Sequence, residues 1–231
     1  MRVTCGWGVN ALRAVPSGAV IIIVDVFSFS TAVTVACARG ASILPCAWSD
    51  ERAAALADAE GAQLASKDRS SAFSLSPAAV RNIPSGARMV LPSRNGSTIA
   101  AAAREAAFGA IVAGCLRNAA AVARWVGGRE AAVVAGGERW PDDTIRFAIE
   151  DWIAAGAIIA RLSHARSPEA EAAAAAFERL RGDLSGVLRE SMSGQELMAA
   201  GWSDDIAIAA DLDADECVPV LEGNAFKLTR S

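Results

Sequence analysis

The chain has 231 residues, 53% of them apolar, and its 22 basic and 26 acidic residues leave a formal charge of −4. This length can bury a sizeable core, and the composition excludes a disordered chain. There is no basic footprint of a general nucleic-acid binder, and the acidic pairs Asp142-Asp143 and Asp204-Asp205 are too short to make an acidic tail.

The N-terminal "MRVTCGWG" has no apolar region of a signal peptide. The longest apolar run, Ala19 to Val24, is ended by Asp25 and is too short to cross a bilayer. Five widely spaced cysteines with no CxxC pair read as free thiols in a reducing compartment, so a cytoplasmic protein without a membrane partner is expected. The single histidine, His164, argues against a zinc site.

From Ala19 onward one pattern repeats: a short apolar run, a polar turn, then a helical run. "AVIIIVDVFSFSTAVTVACARGA" comes first and "ASILPCAWSDERAAALADAEG" second. "RMVLPSRNGSTIAAAAREAA", "GAIVAGCLRNAAAVARWV" and "EAAVVAGGERWPDDTIRFAIEDWIAAGAIIARL" follow. The runs "VIIIVDV", "MVL", "AIVAG" and "AVVAG" do not alternate, as suits strands buried on both faces. Strands alternating with helices imply an α/β sheet covered on both sides. Farther on, Ser167-Pro168-Glu169 starts a helix expected to end at Gly182. "SGQELMAAG" suggests a capping box from Ser193 to Glu196, and "SDDIAIAADL" another short helix. "CVPVLEG" and "AFKL" read as terminal strands. No low-complexity linker interrupts the chain, so one domain spanning 1–231 is expected.

Ligands in open α/β sheets bind beyond the carboxyl ends of the strands. Four such ends carry polar clusters: Asp25 with Ser28, Ser30 and Thr31; Ser93 to Thr98; Cys115 with Arg117 and Asn118; and Gly136 to Arg139. Capping and turn-making account for many of these residues singly. Together they suggest an anion site: helix N–H groups with Gly96, Ser97 and Thr98, flanked by Arg94, Asn95 and Arg117. Asp25, Glu138, Glu150 and Asp151 supply carboxylates beside it. Such a set suits Mg²⁺, with ion pairs to Arg139 or Arg146 as the plainer alternative. The sequence lacks a P-loop, an arginine six residues after Cys115, a strand-end histidine and a second aspartate two residues after Asp25. Water assisted by a metal therefore fits better than a covalent nucleophile.

In order, "VDVFSFSTAV", "LPSRNGST", "AGCLRNAAAVA", "AGGERWPDD…RFAIEDWIAAGAII" and "SGQELMAAGWSDDIAIAADLDADECVPVL" resemble the 2-phosphosulfolactate phosphatase (ComB-like) family, from about Val20 to about Phe226. The resemblance implies a three-layer α/β/α fold with a largely parallel or mixed central sheet. It also implies a Mg²⁺-dependent phosphatase acting on a small anionic phosphoester on the way to coenzyme M. By motif, Asp25 matches the family's strand-end aspartate, and Asn95, Gly96 and Thr98 its Asn-Gly turn. Asn118 matches its Gly-x-Leu-x-Asn-Ala asparagine, and Glu150 and Asp151 its Glu-Asp pair. The chain departs from the family pattern at Ser28, where an arginine is usual, at "SSAFSLSP", which lacks an acid, and at Arg94, which is added.

The reading that follows is a phosphatase with Asp25, Glu138 and Asp151 as catalytic carboxylates. Asp25, Glu138, Glu150 and Asp151 would hold Mg²⁺, and Arg94 to Thr98 with Arg117 and Asn118 would hold phosphate. The alternative is a non-catalytic anion-binding protein that kept the cleft. Six tryptophans and no tyrosine leave room for a homo-oligomeric interface, although core packing accounts for most of such residues.

Overall fold

The computed structural model describes residues 1–106 and 108–229. In chain order its elements begin with β1 (Arg2–Trp7), β2 (Val20–Val24), α1 (Phe29–Ala38), β3 (Ser42–Cys46), α2 (Glu51–Ala59) and β4 (Gln63–Leu64). Next come α3 (Pro77–Val80), β5 (Arg88–Pro92), α4 (Gly96–Glu105), β6 (Ala110–Ala113), α5 (Ala119–Val126) and β7 (Ala131–Ala135). A small hairpin, β8 (Glu138–Arg139) and β9 (Ile145–Arg146), leads to α6 (Ile149–Ile159), β10 (Ala165–Arg166) and α7 (Pro168–Leu180). Then follow α8 (Leu184–Glu190), α9 (Met192–Ala199), α10 (Ser203–Ala210), β11 (Pro219–Glu222) and β12 (Ala225–Leu228).

The expected α/β class is found as a mixed sheet of ten strands, in the order β10-β1-β7-β2-β6-β11-β12-β3-β5-β4. Strands β10, β1, β7, β2 and β6 are mutually parallel, as are β3, β5 and β4. The antiparallel hairpin β11–β12 joins the two groups. Sequence patterning explains the layers. In β2, Ile21 and Ile23 pack with α1 and α4, whereas Ile22 and Val24 pack with α5, α6 and α7. Likewise Ile43 of β3 joins the α1–α4 side and Leu44 faces α2. A strand buried on both faces has no polar face to alternate with, hence the run "VIIIV". Each fully buried isoleucine contributes about 1.5–3 kcal/mol relative to exposure.

Four strands separate β2 from β5, yet residues just beyond their carboxyl ends hydrogen-bond to each other. The sheet therefore curls around α1 and α4, which fill its concave side. That curl makes one site from two distant strands.

Three local expectations change. Residues Arg2–Trp7, passed over in the sequence, form β1 with Val3 and Cys5 turned inward. Helix α7 ends at Leu180, and a 3-10 turn over Arg181–Asp183 carries the chain through Gly182 into α8. The Ser193–Glu196 capping box does not form. Helix α9 starts two residues earlier, capped by Ser191, whose Oγ accepts from the Gly194 N–H at 3.0 Å. Glu196 instead grips Arg146 with both oxygens, at 2.6 and 2.7 Å, and a bidentate charged pair outweighs a cap.

Candidate active site

Asp25 follows β2 directly and is buried. Ser30 fixes the turn: its Oγ accepts from the Asp25 N–H at 3.0 Å and donates to the Ile23 carbonyl at 2.9 Å. The Asp25 carboxylate lies between two helix starts. Oδ1 accepts from the Phe29 N–H of α1 at 3.4 Å. Oδ2 accepts from the Gly96 N–H of α4 at 2.8 Å and from Ser93 Oγ at 3.3 Å. Helix N-termini favour negative charge. Burial nonetheless pushes Asp25 up to about 6, with the Glu150 charge adding to the rise.

Asp151, in the first turn of α6, is buried beside it. Its Oδ1 accepts from the Val26 N–H at 2.7 Å, and Oδ2 from the Gly137 N–H at 2.8 Å. Burial first, then the charges of Asp25 and Glu150, raise its pKa well above the usual carboxylate range. Gly137 has a φ of +70°, which only glycine adopts cheaply, and this turns the chain toward Glu138. Glu138 is partly exposed, and its Oε2 lies 3.5 Å from Asn95 Nδ2. Burial and the charges of Asp25 and Glu150 push it up to about 7.

Glu150 is 1% exposed, and its Oε2 has no hydrogen-bond partner. Burial raises its pKa, opposed by Ser193, Arg146 and Ser191. Arg146 is also buried, but Glu196 already engages it, and its Nε has no acceptor. The result is a crowded set of carboxylates that raise one another's pKa. Among the described residues no three His, Cys, Asp or Glu side chains form a ready-made metal cluster, so a bound ion would require these side chains to turn toward it.

The expected phosphate lip is only partly assembled. The Gly96 N–H is taken by Asp25, and Gly96 is required by close approach: an added Cβ would lie 2.1 Å from the Phe29 ring. Ser97 Oγ donates inward to the Leu91 carbonyl, and Thr98 Oγ1 donates to the Arg94 carbonyl. Arg94 is exposed and pairs with Asp143 at 2.5 Å, while Arg139 Nε donates to Asn95 Oδ1 at 3.1 Å. Arg94, Asn95 and Arg139 thus stand near Glu138.

Arg117 and Asn118 are not brought to this group. Arg117 is held by Asp215 at 2.7 Å and Asp211 at 2.9 Å, and lines a separate cavity of about 540 Å³ with Arg39 and Arg81. Asn118 knots the core. Its Oδ1 accepts from the Cys115 N–H, and its Nδ2 donates to Thr34 Oγ1 and to the carbonyls of Ala113 and Cys217.

All five cysteines are buried and unpaired. Burial pushes Cys5 and Cys217 up to about 12 and raises Cys37 and Cys115, which disfavours thiolate chemistry there. His164 contacts the Arg129 carbonyl instead of the carboxylates.

Sequence reasoning missed Ser191, Ser193 and Glu196 around Glu150 and Arg146, and missed Arg69. Arg69 Nη2 donates to Ser28 Oγ at 3.0 Å and pairs with Asp205 at 2.6 Å. A guanidinium thus stands beside Ser28 although position 28 carries none. No spacing signal in the sequence links residues so far apart.

The sequence pattern of a family described as 2-phosphosulpholactate phosphatase matches residues 10–224. The chain belongs to this family. A relative described as a probable 2-phosphosulfolactate phosphatase, from Gloeobacter violaceus, is 33% identical over 135 residues. That match covers 58% of this chain and 55% of the relative, so it spans about half of the relative's length. The family match takes in Asp25, the 93–98 turn, Glu138 and the Glu150-Asp151 pair. No helix of the described residues is long and apolar enough to cross a membrane.

Proposed function

We propose that this protein is a Mg²⁺-dependent phosphatase acting on a small, highly anionic phosphoester such as 2-phosphosulfolactate. The observation that carries the reading is the carboxylate group of buried Asp25, Glu150 and Asp151 with partly exposed Glu138, together with the orphaned Glu150 Oε2 and the engagement of nearby Arg146 by Glu196. Family membership supports it.

An all-oxygen donor set of this charge suits a hard cation, and these four residues would hold it. Bound Mg²⁺ would supply Lewis acidity and charge neutralisation. The chain's own groups do the rest. Arg94 and Arg139 attract the phosphoester, and Asn95 positions it. Glu138, pushed up to about 7, is matched to proton transfer near neutrality. It takes a proton from the attacking water as that oxygen bonds to phosphorus. The ester P–O bond breaks, and the same proton passes to the departing alkoxide.

The test is hydrolysis of 2-phosphosulfolactate with Mg²⁺ and with EDTA, for the wild type, Asp25→Asn and Glu138→Gln. The expected result is loss of turnover with EDTA and a fall of at least about 100-fold in each variant. Full activity in EDTA, or full activity of both variants, overturns the reading. A second reading, a non-catalytic anion binder, draws on the satisfaction of Asp25 and Asp151 by backbone N–H groups. Binding of the phosphoester without turnover would favour it.

A further inference from the structure

We infer that the cavity beside the Asp25 turn is a subsite for the second, non-transferred anionic group of the substrate, a sulfonate or carboxylate, held by Lys67 and Arg69. The inference rests on the phosphatase reading for what the substrate's other end does. The subsite itself rests on separate observations.

The cavity has a volume of about 370 Å³, at the small end of ligand pockets. Its walls include Leu64, Ser66, Lys67, Arg69, Leu91 and Pro92, with no carboxylate side chain among the lining residues. The uncompensated charge in this wall is that of Lys67, with Arg69 beside it paired to Asp205, so the wall favours an anion where the carboxylate cluster would repel one. Lys67 is exposed and makes no ion pair among the described residues. Arg69 is held in place: Asp205, itself fixed by Ser76 Oγ and the Ala78 N–H, grips one end of its guanidinium. The Trp202 ring lies 5.7 Å from that guanidinium. The Arg69 Nε–H is buried without an acceptor, so its hydrogen-bonding capacity is not used up within the protein.

Two chemical links connect the cavity to the carboxylate group. Arg69 donates to Ser28 Oγ, in the turn between Asp25 and α1. Pro92, in the cavity wall, precedes Ser93, which donates to Asp25. On this proposal the phosphoryl end lies near Asp25 and Glu138, and the second acidic group lies against Lys67 and Arg69.

The experiment compares the wild type, Lys67→Ala and Arg69→Lys. Arg69→Lys keeps a positive charge for Asp205, so it protects the fold while removing the planar fork. One readout is kcat/KM for 2-phosphosulfolactate divided by kcat/KM for phenyl phosphate, which lacks a second acid. The ratio is expected to fall about tenfold in Lys67→Ala, mainly through KM, and several-fold in Arg69→Lys. The other readout is calorimetric binding of sulfoacetate, which carries only the non-transferred groups, and it is expected to weaken in parallel. An unchanged ratio, or equal binding of sulfoacetate by wild type and Lys67→Ala, overturns the subsite. If the wild type hydrolyses neither ester, the phosphatase reading fails, and the sulfoacetate titration still decides whether the subsite exists.

Discussion

At the end of β2, Asp25 meets Asp151, Glu138 and Glu150; at the end of β6, Asn118 meets Thr34, Cys115 and Cys217, with Arg117 next to it. Both clusters follow a short buried strand and precede a helix. They differ in how their polar atoms are satisfied. Asn118 uses its oxygen and its amide nitrogen on partners within the protein, and Arg117 is neutralised by two aspartates. The carboxylates at β2 are crowded with like charge, and one oxygen has no partner at all. A completed network stabilises a fold; an uncompensated one costs stability and is kept where something else is to bind.

This contrast can be broken most directly by exchanging the expected losses. Asp25→Asn should lower turnover by at least about 100-fold while the protein still unfolds cooperatively. Asn118→Ala should cost about 3 kcal/mol in denaturant unfolding, because it strands several buried groups, while the KM of the folded fraction stays the same. Were Asn118→Ala to impair substrate binding with little loss of stability, the assignment of the two strand ends would be reversed.

A pH series sharpens the same point. Asp25 and Glu138 are raised in the folded protein to about 6 and about 7, above their unfolded values near 4, and Asp151 and Glu150 shift the same way. The metal-free folded state therefore binds more protons than the unfolded chain across this interval. The stabilisation from these groups is fully present below the unfolded values and is lost as pH rises through about 6 to 7. Their contribution to Tm should fall between pH 4.5 and 7.5, and Mg²⁺ should raise Tm more at pH 7.5 than at pH 5. Glu138→Gln should flatten part of that slope.

The smallest effect is expected at the rim. Arg94 is 69% exposed and its partner Asp143 62%, so Arg94→Ala should change stability by less than about 0.5 kcal/mol. KM for the phosphoester should rise a few-fold, as measured by steady-state kinetics.

The elements read most clearly from sequence were those whose physics is local. "VIIIV" announced a strand buried on both faces, and Asp25 stood out as the charge that ends it. Ser167-Pro168 announced the start of α7, and "CVPVLEG" and "AFKL" announced the last two strands. What remained hidden depends on contacts between distant residues. Glu196 reads as half of a capping box until Arg146, fifty residues away, claims both its oxygens. Gly96 reads as a turn glycine, although the Phe29 ring is what leaves no room for a side chain. Arg117 and Arg94 look alike in sequence, and only the positions of Asp211, Asp215 and Asp143 separate a structural staple from a surface charge.

The β11–β12 hairpin joins two groups of parallel strands that run in opposite directions. Because it follows every strand of both groups in the sequence, both groups wait for it during synthesis. Until Pro219–Leu228 has left the ribosome, β6 and β3 present bare backbone edges to any other strand. A chain interrupted just before Pro219 would retain every residue of the carboxylate group and still be prone to aggregate. Production of the intact protein should accordingly respond to slower synthesis or chaperone supply far more than the small hairpin's own packing would suggest.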